Sequence, residues 1–313
     1  MKKGSLYVLF LLLSLTAFTQ SAHFTQYFNS GPFLNPSLTG IDVQKQATLL
    51  YRNHWPQLEN SFITQAFIYE TNIKRSTNGF AFSLLNDRAG AGNFSQNSIN
   101  LSYAHEIAVS QNWYLRSGIM GGYSIKSVDW DKLVFEDMID PRSGVSFDSQ
   151  QPMGENIDHF DVSLGFTLFS DKHFFGFNVD HLTQPRGGLI NQVGEAVLRR
   201  AYAFQLGTQI GMGNQTSLTP VILFRKQGRY NVLQTGALMN IGSLQVGAWY
   251  GSEERLILST GLNLKQFSFA YSYDLYSSKM LNEPLGSHEL AVQYRFQKHR
   301  RKKNYRRQSC PKF

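Results

Sequence analysis

The sequence predicts an all-β fold, a transmembrane antiparallel β-barrel of 14 strands with short turns at one end and long loops at the other. Three observations predict it. Apolar residues recur at every second position through segment after segment, as a strand's alternating side chains require. The connections between those segments alternate between short and long. The final segment alternates as well and ends on an aromatic residue.

Residues 1–20 read as an export signal. Lys2 and Lys3 form a positive start, and Leu6 to Leu13 are almost wholly apolar. This run is too short for a spanning helix, and cleavage is expected near Thr19 or Gln20. No cysteine lies close enough to that point to carry a lipid anchor. Residues 21–45 hold Phe24, Tyr27, Phe28, Phe33 and Leu34 between prolines, which is too aromatic for a free linker. This segment is expected to pack at the barrel's periplasmic mouth or in its lumen.

Residues 46–297 supply the strands. Phe160, Val162, Leu164, Phe166 and Leu168 alternate with His159, Asp161, Ser163, Gly165 and Thr167. The pattern returns at Phe267, Phe269, Tyr271 and Tyr273, at Leu256, Leu258 and Leu262, and at Leu244, Val246 and Tyr250. The expected strands are 46–56, 61–73, 77–88, 93–109, 112–129, 159–171, 173–185, 198–212, 216–228, 230–242, 243–254, 255–266, 267–279 and 287–297. Large aromatics on one face with Gly, Ser or Asn on the other favour a barrel in lipid over a soluble sandwich. With strand one running outward, the even-to-odd connections must be the short ones. They are, at Arg75–Thr77, Ser110–Gln111, Asp171–Lys172, Gly213–Gln215, Gly242–Ser243 and Lys265–Gln266. The long stretches 130–158 and 186–197 fall on the opposite side. Both chain ends are then periplasmic, and the location is the cell outer membrane.

The net charge of +8 resides in the tail: residues 298–313 carry eight Lys or Arg and no acid, and without them the charge is zero. A neutral body argues against a nucleic-acid partner. The single cysteine, Cys310, excludes an internal disulfide.

The stretches His23–Asn29 and Phe33–Gly40 resemble the opening of PorP/SprF proteins, as does Tyr51-Arg52-Asn53-His54-Trp55-Pro56. Asn86–Gly90, Leu101–Ala104, Val128–Phe135, Phe160–Ser163, His181–Pro185 and the terminal Cys310–Phe313 extend the resemblance over the whole mature chain. It implies a non-catalytic outer-membrane component of the type IX secretion system of Bacteroidota. Such proteins act in the secretion and surface display of large proteins, including gliding adhesins, and engage a cargo's C-terminal signal domain. The implied partners are that cargo, the secretion machinery and outer-membrane lipid, with no cofactor.

Candidate partner contacts on the outer loops are Arg52, Trp55, Asn86, Asp87, Trp130, Leu133 and Phe135. For Trp55 the plainer reading, an interfacial belt residue, is preferred, and for Arg52 a partner contact and a lumen-facing position both stay open. Trp130, Leu133, Val134 and Phe135 are too apolar for a solvated loop and suggest burial in the mouth or against a partner. Glu136, Asp137 and Asp140 lack an EF-hand spacing and read as a solvated loop before a calcium site. His159 and Asp161 share a face but have no nucleophile or third ligand at a diagnostic interval, so a polar lumen wall is preferred. In the tail, Arg300, Arg301, Lys302, Lys303, Tyr305, Arg306, Arg307, Cys310 and Phe313 read as a periplasmic docking peptide or as a solvated basic tail. The alternative function is a passive diffusion channel for small solutes, decided by whether residues 21–45 or the long loop fill the lumen. A barrel enzyme would need convergent titratable groups at the outer rim, which the sequence does not assemble.

Overall fold

The structure is a computed structural model. It describes residues 24–41, 45–57, 61–73, 77–90, 94–133, 138–139, 156–186, 197–213, 215–276 and 286–296.

Fourteen strands close into one ring, each antiparallel to its chain neighbours. They are β1 (Lys45–His54), β2 (Phe62–Asn72), β3 (Gly79–Ala89), β4 (Phe94–Ala108), β5 (Tyr114–Val128), β6 (Ile157–Phe169) and β7 (His173–Asp180). Then follow β8 (Ala201–Thr208, resumed after Gln209 over Ile210–Gly213), β9 (Thr216–Gln227), β10 (Tyr230–Ile241), β11 (Leu244–Gly251), β12 (Arg255–Asn263), β13 (Phe267–Tyr276) and β14 (Gly286–Arg295). Closure joins β1 to β14, from Gln46 opposite Arg295 to His54 opposite Ser287. A closed ring leaves no edge, so every strand pairs on both sides as a bilayer demands. Among the described residues, no helix is long and apolar enough to cross a membrane.

The alternation has a physical sorting behind it. Leu49, Leu101, Phe160, Phe269 and Leu290 point outward and stay exposed, while Thr48, Ser102, Ser163, Ser272 and Glu289 point inward and are buried. The outward set faces hydrocarbon, where its exposure costs nothing. Strands of 8 to 15 residues suffice to cross, the longest being β4 and β5.

Three departures from the expected strands have a visible local cause. The first strand stops at His54 because Trp55 takes the left-handed conformation, φ 58°. The seventh stops at Asp180 because His181 (φ 58°) and Gln184 (φ 47°) do the same. The eighth is interrupted at Gln209, and Thr216/Ser217 opposite carry a register shift.

Residues ahead of β1 enter the barrel. A single helical turn, α1 (Tyr27–Ser30), leads into two 3₁₀ turns, η1 (Gly31–Phe33) and η2 (Pro36–Leu38). Each 3₁₀ turn has a proline at its first or second position, where the missing N–H is harmless. Asn35 caps the second, its side chain accepting from the Ser37 N–H at 3.0 Å. The lumen is therefore not lined by polar groups alone. Tyr27, Leu34 and Leu38 pack against inward-facing Phe169, Phe174, Val221, Leu238, Trp249 and Ile257, a core of the kind a soluble domain has.

Candidate functional site

The site is the lumen and the strap of chain that fills it. Three polar clamps hold the strap, and each uses inward positions of strands far away in sequence.

The first clamp sits in the half nearer the long connections. The Arg52 guanidinium pairs with Asp274 at 2.9 Å and Glu289 at 3.0 Å, all three almost fully buried. Glu289 also accepts the backbone N–H groups of Thr25 (2.7 Å) and Gln26 (2.9 Å). The Thr25 hydroxyl contacts Arg52 directly and donates to Asp274 at 3.0 Å. Two carboxylates against one arginine would be short of positive charge; Arg255, 3.9 Å from Asp274, supplies a second cation.

The second clamp is amide on amide. The Asn35 Nδ2 donates to Gln205 Oε1 at 3.1 Å, and Gln205 Nε2 donates to Asn178 Oδ1 at 2.9 Å. The hydroxyls of Ser37 and Thr167 lie 2.6 Å apart. The third clamp lies near the short turns. Arg116 pairs with Glu106 at 3.1 Å and donates to the Ser37 carbonyl at 2.7 Å and to the Thr39 carbonyl. Glu70 Oε1 accepts the Gly40 N–H at 2.9 Å.

Apolar contacts fill the space between. Phe28 stacks on Trp249 with ring centroids 5.5 Å apart, and Tyr27 meets the same ring edge-on at 6.0 Å. The wall makes room for the strap's backbone with glycine: a Cβ at Gly118 would collide with the Pro36 carbonyl, and one at Gly165 with the Asn35 amide.

Several expected partner contacts sit elsewhere than on outer loops. Arg52 is an inward strand residue buried in the first clamp, because even-numbered positions of β1 face the lumen. Trp55 is not a lipid-belt residue; its ring lies 4.0 Å from that of His54 and also meets Phe62 and Tyr276, on the lumen side of the rim. Asn86 and Asp87 belong to β3, which stays paired with β4 up to Ala89 opposite Phe94, so the turn comes only at Gly90. Asn86 donates to Asn97 at 2.7 Å, and Asp87 accepts from Thr64 at 2.6 Å. Trp130 opens a short 3₁₀ turn, Trp130–Lys132, closed by the Leu133 N–H on the Trp130 carbonyl at 3.1 Å. Phe135, the acids Glu136, Asp137 and Asp140, and the tail residues from 300 to 313 lie outside the described residues. His159 and Asp161 line a lumen cavity, with Asp161 held 2.5 Å from His181. Among the described residues, no three His, Cys, Asp or Glu side chains are grouped to hold a metal ion.

Sequence reasoning passed over Glu70, Glu106, Arg116, Asp274 and Glu289. Their signal was present: each is a charged residue at a lumen-parity position of its strand.

Residues 16–294 match the family described as type IX secretion system membrane protein PorP/SprF. The chain belongs to that family. No curated protein matches it. Among solved structures it is similar to the CymD monoaromatic hydrocarbon channel, at 12% identity and TM-score 0.51, over 87% of this chain and 94% of that one. The Ralstonia pickettii toluene transporter TbuX is similar at 9% identity and TM-score 0.50, over 86% and 94%. At such identities the likeness is one of fold. Fold and family together make this PorP/SprF protein an outer-membrane β-barrel component of the type IX secretion system.

Proposed function

We propose that this PorP/SprF protein recruits or anchors a secreted cell-surface protein, such as a gliding adhesin, by holding its C-terminal signal domain at the rim of long connections. Residues 1–20 serve as the export signal, the short turns and both chain ends face the periplasm, and residues 298–313 dock a periplasmic partner in the secretion machinery. The mechanism is binding, with free energy from apolar burial and backbone pairing to a β-rich domain.

The observation that supports this reading best is the filled lumen. A strap tied by buried ion pairs and packed under Trp249 takes up lumen space that a solute path would use. A rim carrying Trp55, Phe62 and Tyr276 suits a protein ligand. Passive diffusion is the second reading, since proteins of similar fold are hydrocarbon channels.

The test is recovery of the protein from its native outer membrane in mild detergent, with mass spectrometry of what accompanies it. A large secreted protein bearing a C-terminal signal domain, together with secretion components, is the expected result. The barrel alone, with solute conductance in planar bilayers, would overturn the proposal in favour of the channel.

A further inference from the structure

From Ala196 to Ser252 the sequence holds five Lys or Arg and no Asp or Glu. The fold gathers all five at the rim of long connections. Arg199 and Arg200 stand just ahead of β8, Arg225 and Lys226 lie at the end of β9, and Arg229 sits in the turn to β10. The three strands are neighbours in the ring. Gln227 Nε2 donates to the Arg199 carbonyl at 3.1 Å, which ties the start of β8 to the end of β9. A Cβ on Gly228 would meet the Arg199 Cδ at 3.0 Å, so the Arg199 stem crosses the turn that carries Arg229.

Most of this charge has no acid to meet. Arg225 points into the lumen and shares its cavity with Asp180. The other four cations are exposed. Glu253, the next acid along the chain, is taken by the Tyr230 hydroxyl and by Arg255 at 3.8 Å. Glu195, the acid before them, lies outside the described residues. Among the described residues Lys226 and Arg229 make no hydrogen bond or ion pair, and Arg200 spends only its Nε, on the Leu182 carbonyl at 3.3 Å.

Strand parity decides what lies beside them. Ala201, Ala203, Val221 and Gln227 are buried on the lumen side, so Tyr202, Phe204, Ile222, Phe224 and Lys226 face outward. Lys226 stands opposite Tyr202, and two residues further from the rim Phe224 stands opposite Phe204. The Phe204 ring lies 6.4 Å from that of Phe224 and 4.8 Å from that of Phe177 in β7. The outward face of this sector therefore carries cations at its edge, a tyrosine beside them and a ladder of three phenylalanines below. Tyrosine belongs at headgroup level and phenylalanine in hydrocarbon.

We propose that the outward face of β8 and β9, at the rim of long connections, binds the phosphorylated headgroup of a membrane lipid, with its acyl chain along Phe177, Phe204 and Phe224. Arg200, Lys226 and Arg229 supply the positive charge, and the arginine forks match phosphate oxygens. A soluble anion would use the cations and leave the ladder uncovered; a lipid meets both. With the long connections facing out, as proposed above, the lipid is one of the outer leaflet. The test in detergent does not depend on that orientation or on the cargo.

The experiment is native mass spectrometry of the full chain in detergent. The probes are dioleoyl phosphatidic acid and dioleoylglycerol, which share their acyl chains and differ in the phosphate. Heat-dependent electrophoretic mobility checks that each variant is a folded barrel. Phosphatidic acid should be retained at least about tenfold more tightly than the diacylglycerol. Arg200→Gln, Lys226→Gln and Arg229→Gln should each weaken it about fivefold, the worth of one cation at a charged membrane surface. The triple variant should lose the preference, and Lys172→Gln, in a short turn at the opposite end, should keep it. Equal retention of the two lipids, or an unchanged preference in the folded triple variant, overturns the proposal. So does displacement of phosphatidic acid by an equal concentration of inorganic phosphate, which would make this a simple anion site, or of an oligoglutamate peptide, which would give the face to an acidic protein. If the triple variant fails to fold, the single variants and the lipid pair on the unaltered chain decide.

Discussion

The two halves of the lumen are built on the same 14 strands and are filled differently. Toward the short turns, Arg116, Glu106, Glu70 and Asn35 are matched to one another and to the strap's carbonyls and N–H groups. Toward the long connections, Lys126, Asp161, Asp180 and Arg225 line a cavity of about 130 Å³ that the strap leaves open. Matched polar groups fix a structure. The contrast is between a part of the lumen that the strap packs and a part that it leaves hollow.

The comparison breaks most decisively at the first clamp. Arg52→Met leaves Glu289 and Asp274 as buried carboxylates short of a cation, and about 3–5 kcal/mol of stability should be lost. Thermal unfolding followed by heat-dependent gel mobility measures it, and single-channel recording should show conductance absent from the unaltered protein. The double variant with Glu289→Gln should lose less than the sum of the two single changes, because the groups act as one network. Gly118→Val comes next. It pushes a side chain into the Pro36 carbonyl and should cost about 1–3 kcal/mol, with faster amide exchange in residues 24–41 and an intact strand ladder. At the rim, Trp55→Ala should change barrel stability by about 1 kcal/mol or less and reduce cargo recovery in the detergent pull-down. Unchanged recovery would remove the rim aromatics from the proposed interface. Removing residues 298–313 should have the smallest effect on stability: the barrel assembles as before and loses its periplasmic partner. A truncated chain that keeps all its partners would end the docking reading of the tail.

Much of this architecture is legible in the chain. The period of two in segments such as Phe160–Leu168 is set by the pleat, and the parity of short connections by the up-and-down topology, so all 14 strands could be drawn with ends shifted by a few residues. The shifts have local causes, such as the left-handed Trp55 and His181. Aromatic density also showed that residues 21–45 must pack somewhere. The clamps were not legible. Arg52, Asp274 and Glu289 can be recognised singly as inward charges, but which of them meet depends on the stagger of the strands around the ring, and no local pattern encodes stagger. Asn86 and Asp87 were misplaced for a related reason. Loop-like composition marks them, yet pairing of β3 with β4 extends past them and holds them in strand.

The first clamp carries one more consequence. Thr25 and Gln26 lie near the start of the strap, and Thr25 finds hydrogen-bond partners in β13 and β14, at Asp274 and Glu289, 249 and 264 residues away. Residues made first must therefore wait for residues made last. Contacts of such sequence separation are slow to form, because the whole intervening chain must be gathered first. The strap cannot complete its first clamp on a polypeptide that stops short of β14, so seating it reports that the ends of the barrel have been brought together.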